Sequence, residues 1–369
     1  MASVKESQVL GAQFDHRVKC LLESTLTTEA LVSAARSIIS SLESVEHFDV
    51  FDILGVSSVR LHGVLRAMLD HANDCGGPEA LRYSSSTISA CGLDEHLHEI
   101  GLTSTLEALR ELAITWITHF LFFFKAPQPY TAGAERENML HTGSVTQKQV
   151  LRRDAVRNPV NGLKGEECTV ILDGDLDLTF YMFAVHILPP TIGKLPRESP
   201  NSIVSPFNML RSYCGLPDSA LESINCHLEH PSNYITLDWG CQWAFELFHW
   251  SLIRTEEPNS YKIKVFNPEH RYRLSLYDNV IETKVITFKD YGNEDVSLPD
   301  PTYFRIHAAI AGVVHDSGVA KFLDDLLQKC SFFVDEDPLP LPESFDDILR
   351  DVRIQLMKES FYQAKDLEE

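Results

Sequence analysis

A histidine and an asparagine in two short apolar runs have the side chains best suited to chemistry in this sequence. His186 lies in the run 183–188, and Asn233 opens the run 233–238. The aliphatic and β-branched residues of both runs are typical of strands. The unperturbed pKa of histidine lies near neutral pH, so a histidine held on a strand can act as a general base towards water. From the residues alone, however, a hydrogen-bonded core histidine is the more frequent explanation of such a position. A helix-like segment follows directly, and Gln242 falls within it, nine residues after Asn233.

Other polar residues near these runs suggest metal binding less strongly. Cys226, His227 and His230 are close in sequence, but no second ligand pair follows at zinc spacing. The acidic triplet 173–175 has the start of a calcium loop without its closing glutamate, which favours a solvated turn. The sequence also has no Gly-rich phosphate loop, no Gly-x-Ser-x-Gly elbow and no His-Glu-x-x-His pair. These absences exclude the enzyme classes that depend on those motifs.

The N-terminal part of the chain is predicted to be helical, because apolar residues recur there at helical spacing. Its strongest element is 104–124, where apolar residues cover most of the circumference. A helix that is apolar nearly all round belongs in a core. His119 lies within it, and we expect a packed, hydrogen-bonded histidine. Proline, glycine and polar residues without periodicity then predict a linker.

Short strands dominate the next part of the chain, and helices close it. The fold class predicted from this order is α+β. We expect a helical domain over 1–126, a linker over 127–146, a β-containing domain over 147–300, and a C-terminal helical cap with an acidic tail over 301–369. The two runs with His186 and Asn233 both fall in the β-containing domain.

The order of these elements and several local motifs resemble a known family. The runs Ala184–Pro189 and Asn233–Leu237 match its Ala-His-Ile-Leu-Pro and Asn-x-Ile-x-Leu patterns, the first with Val185 inserted before the histidine. Two later segments, 255–263 and 298–309, are similar as well. The shared framework also includes these residues before the strands: Arg153, Asp154, Arg157, Val160 and Gly162. The chain from about 107 to about 330 therefore resembles the HNH-endonuclease-like proteins of mushroom-forming (basidiomycete-type) fungi.

This resemblance implies an HNH-like ββα finger, extended by extra strands, within the β-containing domain. It makes His186 the general base and gives Asn233 the task of bracing the finger and positioning that histidine. The second histidine of the family pattern falls on Gln242, which is the third expected site residue. The family cysteine falls on Asn158 and the family threonine on Asn161. The HNH motif is therefore degenerate in this chain.

Cleavage of a phosphodiester bond by such a finger requires a divalent metal acting as a Lewis acid on the phosphate. A neutral amide such as Gln242 is a poor ligand for that ion. If the site is active, the ion is Mg²⁺, Mn²⁺, Ni²⁺ or Zn²⁺, and Asp238, Glu246 or His249 could replace the missing ligand. Two interpretations stay open. The chain is a weakly active or inactive HNH-like protein used as an interaction or structural module, which we favour, or an active endonuclease that binds nucleic acid.

The composition argues against tight binding of nucleic acid, and if the chain is not active we expect a protein partner of unknown identity. The formal net charge is −21, and a strongly acidic protein repels phosphate backbones. Eight cysteines without CxxC pairs indicate reduced thiols, hence an intracellular protein of the cytoplasm or nucleus. The N-terminal residues lack the apolar stretch of a secretory signal. The most apolar run, 113–124, is too short for a membrane span, so no membrane association is expected.

Overall fold

The structure is a computed structural model, and two compact units make up the chain. The first comprises Met1–Pro129, Lys194–Leu221 and Val313–Glu369, and the second comprises Tyr130–Gly193 and Glu222–Gly312. The units thus alternate along the chain, whereas the domains predicted from sequence are consecutive. The described residues are 11–53, 56–92, 101–125, 143–165, 169–172, 176–179, 181–195, 202–269, 284–293, 295–328 and 345.

The first unit is mainly helical. Its helices within Met1–Pro129 are, in chain order, α1 (Ala12–Glu23), α2 (Thr28–Glu43), α3 (Glu46–Asp49), α4 (Leu61–Asp70), α5 (Ala72–Gly76), α6 (Pro78–Ala90), α7 (Gly101–Trp116) and α8 (Phe122–Lys125). A two-stranded sheet pairs β1 (Val50–Phe51) with β2 (Val59–Arg60). The helix α6 packs against α1, α2, α4 and α5. It begins at Pro78, whose fixed φ suits a first helical turn, and its buried residues 83–90 are mostly small, which lets the neighbouring helices approach closely.

The predicted helix over 104–124 is confirmed, with one irregularity. A π-helical turn, Ile117–Leu121, joins α7 to α8. The prediction that His119 is packed was wrong, because its side chain is exposed. The expected hydrogen bond is present, with Nδ1 2.7 Å from Thr118 Oγ1. His119 lies within the π turn, whose residues follow a spacing different from that of an α-helix.

The second unit contains the small sheets. Its elements in chain order are α9 (Val145–Arg153), β3 (Thr169–Leu172), β4 (Leu176–Thr179), β5 (Met182–His186), α12 (Ile224–Leu228), β6 (Tyr234–Asp238), α13 (Trp239–Glu246), β7 (Trp250–Arg254), β8 (Ser260–Val265) and β9 (Val285–Thr287). Between α9 and α12 the chain passes through the first unit, which contains α10 (Pro206–Ser212) and all but the last residue of α11 (Asp218–Glu222). All pairings are antiparallel: β3 with β4, β5 with β6, and β7–β8–β9 as a three-stranded sheet.

Two C-terminal helices follow, α14 (Pro301–Asp316) and α15 (Val319–Gln328). Within the second unit, His307 of α14 stacks between Phe245, at 3.9 Å between ring centroids, and Phe248, at 4.4 Å. Its Nδ1 is 2.9 Å from Ser251 Oγ and its Nε2 is 3.2 Å from the Phe245 carbonyl. Burial lowers the pKa of His307 to about 3, so the ring is neutral. It therefore ties α14 to α13 and β7 without introducing a buried charge.

The chain is mixed α+β with small antiparallel sheets, as the sequence predicts at this level. Most of the predicted linker, the turn at 173–175 and nearly all of the acidic tail lie outside the described residues. In the tail, Phe345 is described, and its ring lies 5.4 Å from that of Phe122. None of the described helices is long and apolar enough to cross a bilayer.

Candidate functional site

The candidate site is built on the antiparallel pair β5–β6. His186 at the end of β5 lies opposite Tyr234 at the start of β6. Alternate side chains of a strand share a face, so Met182, Ala184 and His186 lie on the same side of the pair. Val150 of α9 packs with Leu151 against Met182, Ala184 and Tyr234. The antiparallel pair β5–β6, whose strands are joined by the long segment 187–233, is called the hairpin below. The apolar face of α9 thus covers the face of this hairpin that ends in His186.

The imidazole of His186 lies against an aromatic ring and a carboxylate. Its ring centroid is 4.1 Å from that of Tyr234, and about a fifth (20%) of the side chain is exposed. Its Nε2 is 3.5 Å from Glu229 Oε1, beyond an ordinary N–H···O distance, and Nε2 has no hydrogen-bond partner among the described residues. The Tyr234 hydroxyl donates a hydrogen bond to the other oxygen of Glu229, at 2.9 Å. Glu229 is therefore hydrogen-bonded to Tyr234 and lies close to the imidazole of His186.

Burial of the ring makes His186 a weak base. Desolvation lowers its pKa to about 4, and the nearby Glu229 carboxylate only partly opposes this. The imidazole is therefore neutral at physiological pH. A neutral imidazole can accept a proton, but a general base works best when its pKa lies near the operating pH.

The depressed pKa of His186 predicts a specific loss of stability in acid. The unfolded chain takes up a proton on this histidine below about pH 6.5, whereas the folded chain does so only near pH 4. The unfolded state binds more protons in that window, so stability falls as the pH falls. We expect His186 to account for up to about 2 kcal/mol of the stability lost between pH 7 and pH 5.

Urea denaturation of the wild type and of His186→Gln at the two pH values measures this contribution. Burial raises the pKa of Glu246 to about 7. The folded chain therefore takes up a proton on Glu246 more readily than the unfolded chain, so this group raises the stability as the pH falls from 7 towards 5. Glu246 is present in both proteins and cancels in the comparison. An equal loss of stability in the wild type and the variant would show that His186 is not protonated more readily on unfolding.

Asn233 is the structural brace of the hairpin. Its side chain is fully buried, and its Oδ1 accepts the backbone N–H of Leu188 at 2.9 Å. Its Nδ2 donates to the carbonyls of Leu188 and Leu228, both at 2.9 Å. The backbone N–H of Ile187 also donates to the Asn233 carbonyl, at 2.7 Å. Asn233 therefore holds the segment after β5 against the entry to β6, and it lies beside His186 across the hairpin.

A buried ion pair, Arg153–Asp154, joins the end of α9 to the hairpin. Arg153 is fully buried and donates from Nε and Nη2 to the two oxygens of Asp154, at 2.7 and 2.9 Å. It also donates to the carbonyls of Pro231, Ser297 and Tyr234, at 3.0, 2.8 and 2.9 Å. Asp154 Oδ2 accepts from the backbone N–H and the hydroxyl of Thr236. The adjacent charges at the end of a helix are visible in sequence, but their partners are not.

Asp238 begins α13 and is fully occupied by hydrogen bonds. Its Oδ1 accepts hydrogen bonds from the backbone N–H groups of Gly240 and Cys241, so Asp238 is the N-cap of α13. Its Oδ2 accepts from the Nδ2 groups of Asn158 and Asn161, at 2.5 and 2.6 Å. The two asparagines that stand where the resembling family has cysteine and threonine thus tie the loop after α9 to the start of α13. Asp238 has no free oxygen for a metal.

Gln242 does not join the other two predicted site residues through any described contact. Its Nε2 donates to Glu246 Oε1, one turn further along α13, at 3.0 Å. Both side chains are partly exposed. Because Glu246 holds its proton until about pH 7, it is an imperfect metal ligand at neutral pH. The structure therefore brings His186 and Asn233 together and leaves Gln242 paired with Glu246.

Two other histidines considered as metal ligands make local contacts. His249 is buried and its ring lies 5.4 Å from that of Trp243, and His230 Nδ1 accepts a hydrogen bond from the Ser232 backbone N–H within its own turn. In the part of the chain that the structure describes, no three or more His, Cys, Asp or Glu residues form a group that could hold a metal. What the arrangement offers is a neutral imidazole, one nearby carboxylate and a densely bonded hairpin.

Comparisons of the chain with protein-family models, with curated proteins and with solved structures found no match. The assignment of function therefore rests on the local chemistry and on the resemblance seen in the sequence.

Proposed function

We propose that this chain is a degenerate HNH-like protein whose β5–β6–α13 segment is a non-catalytic structural and interaction module. The order strand, strand, helix, with His186 on the first strand and Asn233 before the second, supports the HNH-like part of the proposal. The observation that carries the non-catalytic part is the use of the polar side chains. Asn233 and Asp238 make all their described bonds within the fold, and among the described residues His186 belongs to no group of three or more possible metal ligands.

The electrostatics support the same proposal. A catalytic general base is usually tuned towards neutral pH, whereas burial moves His186 away from it. The net charge of −21 disfavours a phosphate backbone as the main partner and favours a protein surface. The residues at nuclease-like positions then serve to hold α9, the hairpin and α13 in one arrangement.

Titration with Mn²⁺ tests whether a metal ligand is missing at position 242. We expect no binding near His186 in the wild type and a measurable gain in Gln242→His, because the substitution adds an imidazole one turn before Glu246. The gain should remain partial, because a ligand without a supporting hydrogen-bond partner loses about 10–100-fold in affinity. Isothermal titration calorimetry of the two proteins under identical conditions measures the difference.

The control is His186→Ala, which removes the imidazole on the hairpin and leaves α13 unchanged. Its titration should be the same as that of the wild type. Tight Mn²⁺ binding by the wild type that is lost in His186→Ala would contradict the proposal. The chain would then hold a metal at the hairpin through another ligand set.

An active endonuclease is the second candidate, and one contact favours it. Glu229 Oε1 lies 3.5 Å from His186 Nε2, and this carboxylate could orient a catalytic imidazole if the two groups moved into hydrogen-bond distance. In that case His186 would act as general base on nucleic acid. The divalent metal such a reaction needs would require a ligand set different from the described one.

A further inference from the structure

A histidine and a cysteine form an exposed pair on α1, in the first unit and separate from the hairpin. His16 and Cys20 are four residues apart, so they lie one above the other on the helix. Cys20 Sγ is 3.6 Å from His16 Nε2, and both side chains are exposed. Cys20 is not in a disulfide.

The pair lies opposite the packed face of α1. The buried residues of this helix are Phe14, Val18 and Leu21, and the helix packs on α6. His16 and Cys20 each follow a buried residue by two positions, which places them about 200° around the helix. Neither side chain is needed for the packing of α1.

A cysteine on the exposed face of a helix is uncommon, so Cys20 is a candidate for a chemical role. Cysteine is among the most frequently buried residue types, and it has a modest helix propensity. Of the six described free cysteines, four are buried, and the exposed ones are Cys20 and Cys226. Of these two, Cys20 has a histidine nitrogen, His16 Nε2, within hydrogen-bonding range of its sulfur.

The separation of the two ligand atoms matches a metal site. Zinc binds a cysteine sulfur at about 2.3 Å and a histidine nitrogen at about 2.0–2.1 Å, in tetrahedral geometry. Those bond lengths place the sulfur and the nitrogen about 3.5–3.6 Å apart. The observed 3.6 Å therefore allows both atoms to bind one ion without moving either residue along the helix.

We propose that His16 Nε2 and Cys20 Sγ bind one borderline-soft divalent cation of the zinc class, with water at its remaining positions. On binding, the Cys20 thiol gives up its proton to solvent, and the thiolate and the neutral imidazole each donate an electron pair to the ion. The nearby exposed charges are Glu23, three residues after Cys20, and Lys19 beside it. The site does not depend on the proposed role of the hairpin.

Cd²⁺ titration of the reduced full-length protein tests the proposal through the ultraviolet charge-transfer absorption of a cadmium–thiolate bond. Cys20→Ser should lose one equivalent of this absorption. His16→Ala should keep the thiolate but bind at least about tenfold more weakly, since even the loss of a supporting group costs that much. Both positions are exposed, so the circular dichroism of the variants should equal that of the wild type.

The matched control is Cys226→Ser, which removes the other described exposed thiol and should bind Cd²⁺ as the wild type does. Zn²⁺ calorimetry in two buffers of different ionisation enthalpy should show about one proton released by the wild type and none from this site in Cys20→Ser. Undiminished absorption in Cys20→Ser would overturn the proposal. So would wild-type affinity in His16→Ala, which would reduce the site to a single thiol.

Discussion

Replacing Arg153 by methionine is expected to lower the free energy of unfolding of the second unit by about 3–5 kcal/mol. Methionine fills much of the same volume but carries no charge and no donor. The fully buried position would then leave Asp154, only 6% exposed, without its counter-charge. It would also leave the carbonyls of Pro231, Ser297 and Tyr234 without the guanidinium donors.

Urea denaturation followed by tryptophan fluorescence measures this loss. Three of the four tryptophans, Trp239, Trp243 and Trp250, are in the second unit, so the signal reports mainly on its unfolding. Arg152→Met is the matched control, because Arg152 is the exposed neighbour of Arg153 on α9. It should change the stability by no more than about 1 kcal/mol, because the interactions of an exposed arginine contribute little. Equal effects of the two substitutions would show that the buried ion pair does not hold the hairpin in place.

Replacing Asn233 by alanine is expected to cost about 2–4 kcal/mol, the second largest effect. The substitution removes three side-chain hydrogen bonds, two to Leu188 and one to Leu228. Each buried group left without a partner carries a desolvation cost of about 1–3 kcal/mol, which is offset where water can reach it. The same fluorescence-monitored denaturation gives the value.

Asn225→Ala is the control for Asn233→Ala, since Asn225 is exposed on α12 in the same unit. It should be close to neutral. The comparison distinguishes a structural asparagine from a catalytic one, because a residue that serves only the reaction can be lost with little effect on stability. Unchanged stability of Asn233→Ala would remove the main support for a bracing role.

Much of the secondary structure could be predicted from local patterns. The strand residues around His186 and after Asn233, the helix that Asp238 begins, and the hairpin β7–β8 are all signalled by alternation, β-branched residues or a capping residue. These signals are contained within a few consecutive residues. The position of His119 was not predicted correctly from such local signals, because His119 lies within the π turn and is exposed.

The hydrogen bonds and the ion pair of the candidate site could not be predicted from such local patterns. Arg153 reaches the carbonyls of Pro231 and Ser297, which are 78 and 144 residues away in sequence. The pairing of Asn158 with Asp238 spans 80 residues. Such contacts depend on tertiary packing, so the sequence identified Arg153 and Asp154 as framework positions, and Asn158 as a departure from the family pattern, without their roles.

The central claim is that the nuclease-like positions of this chain are structural rather than catalytic. A plasmid-cleavage assay tests it most directly, at low salt with Mg²⁺, Mn²⁺, Ni²⁺ and Zn²⁺ in turn, comparing the wild type with His186→Ala. We predict that with every metal the wild type nicks or linearises no more plasmid than His186→Ala does. Metal-dependent cleavage by the wild type that His186→Ala abolishes would contradict the account and establish His186 as a catalytic base.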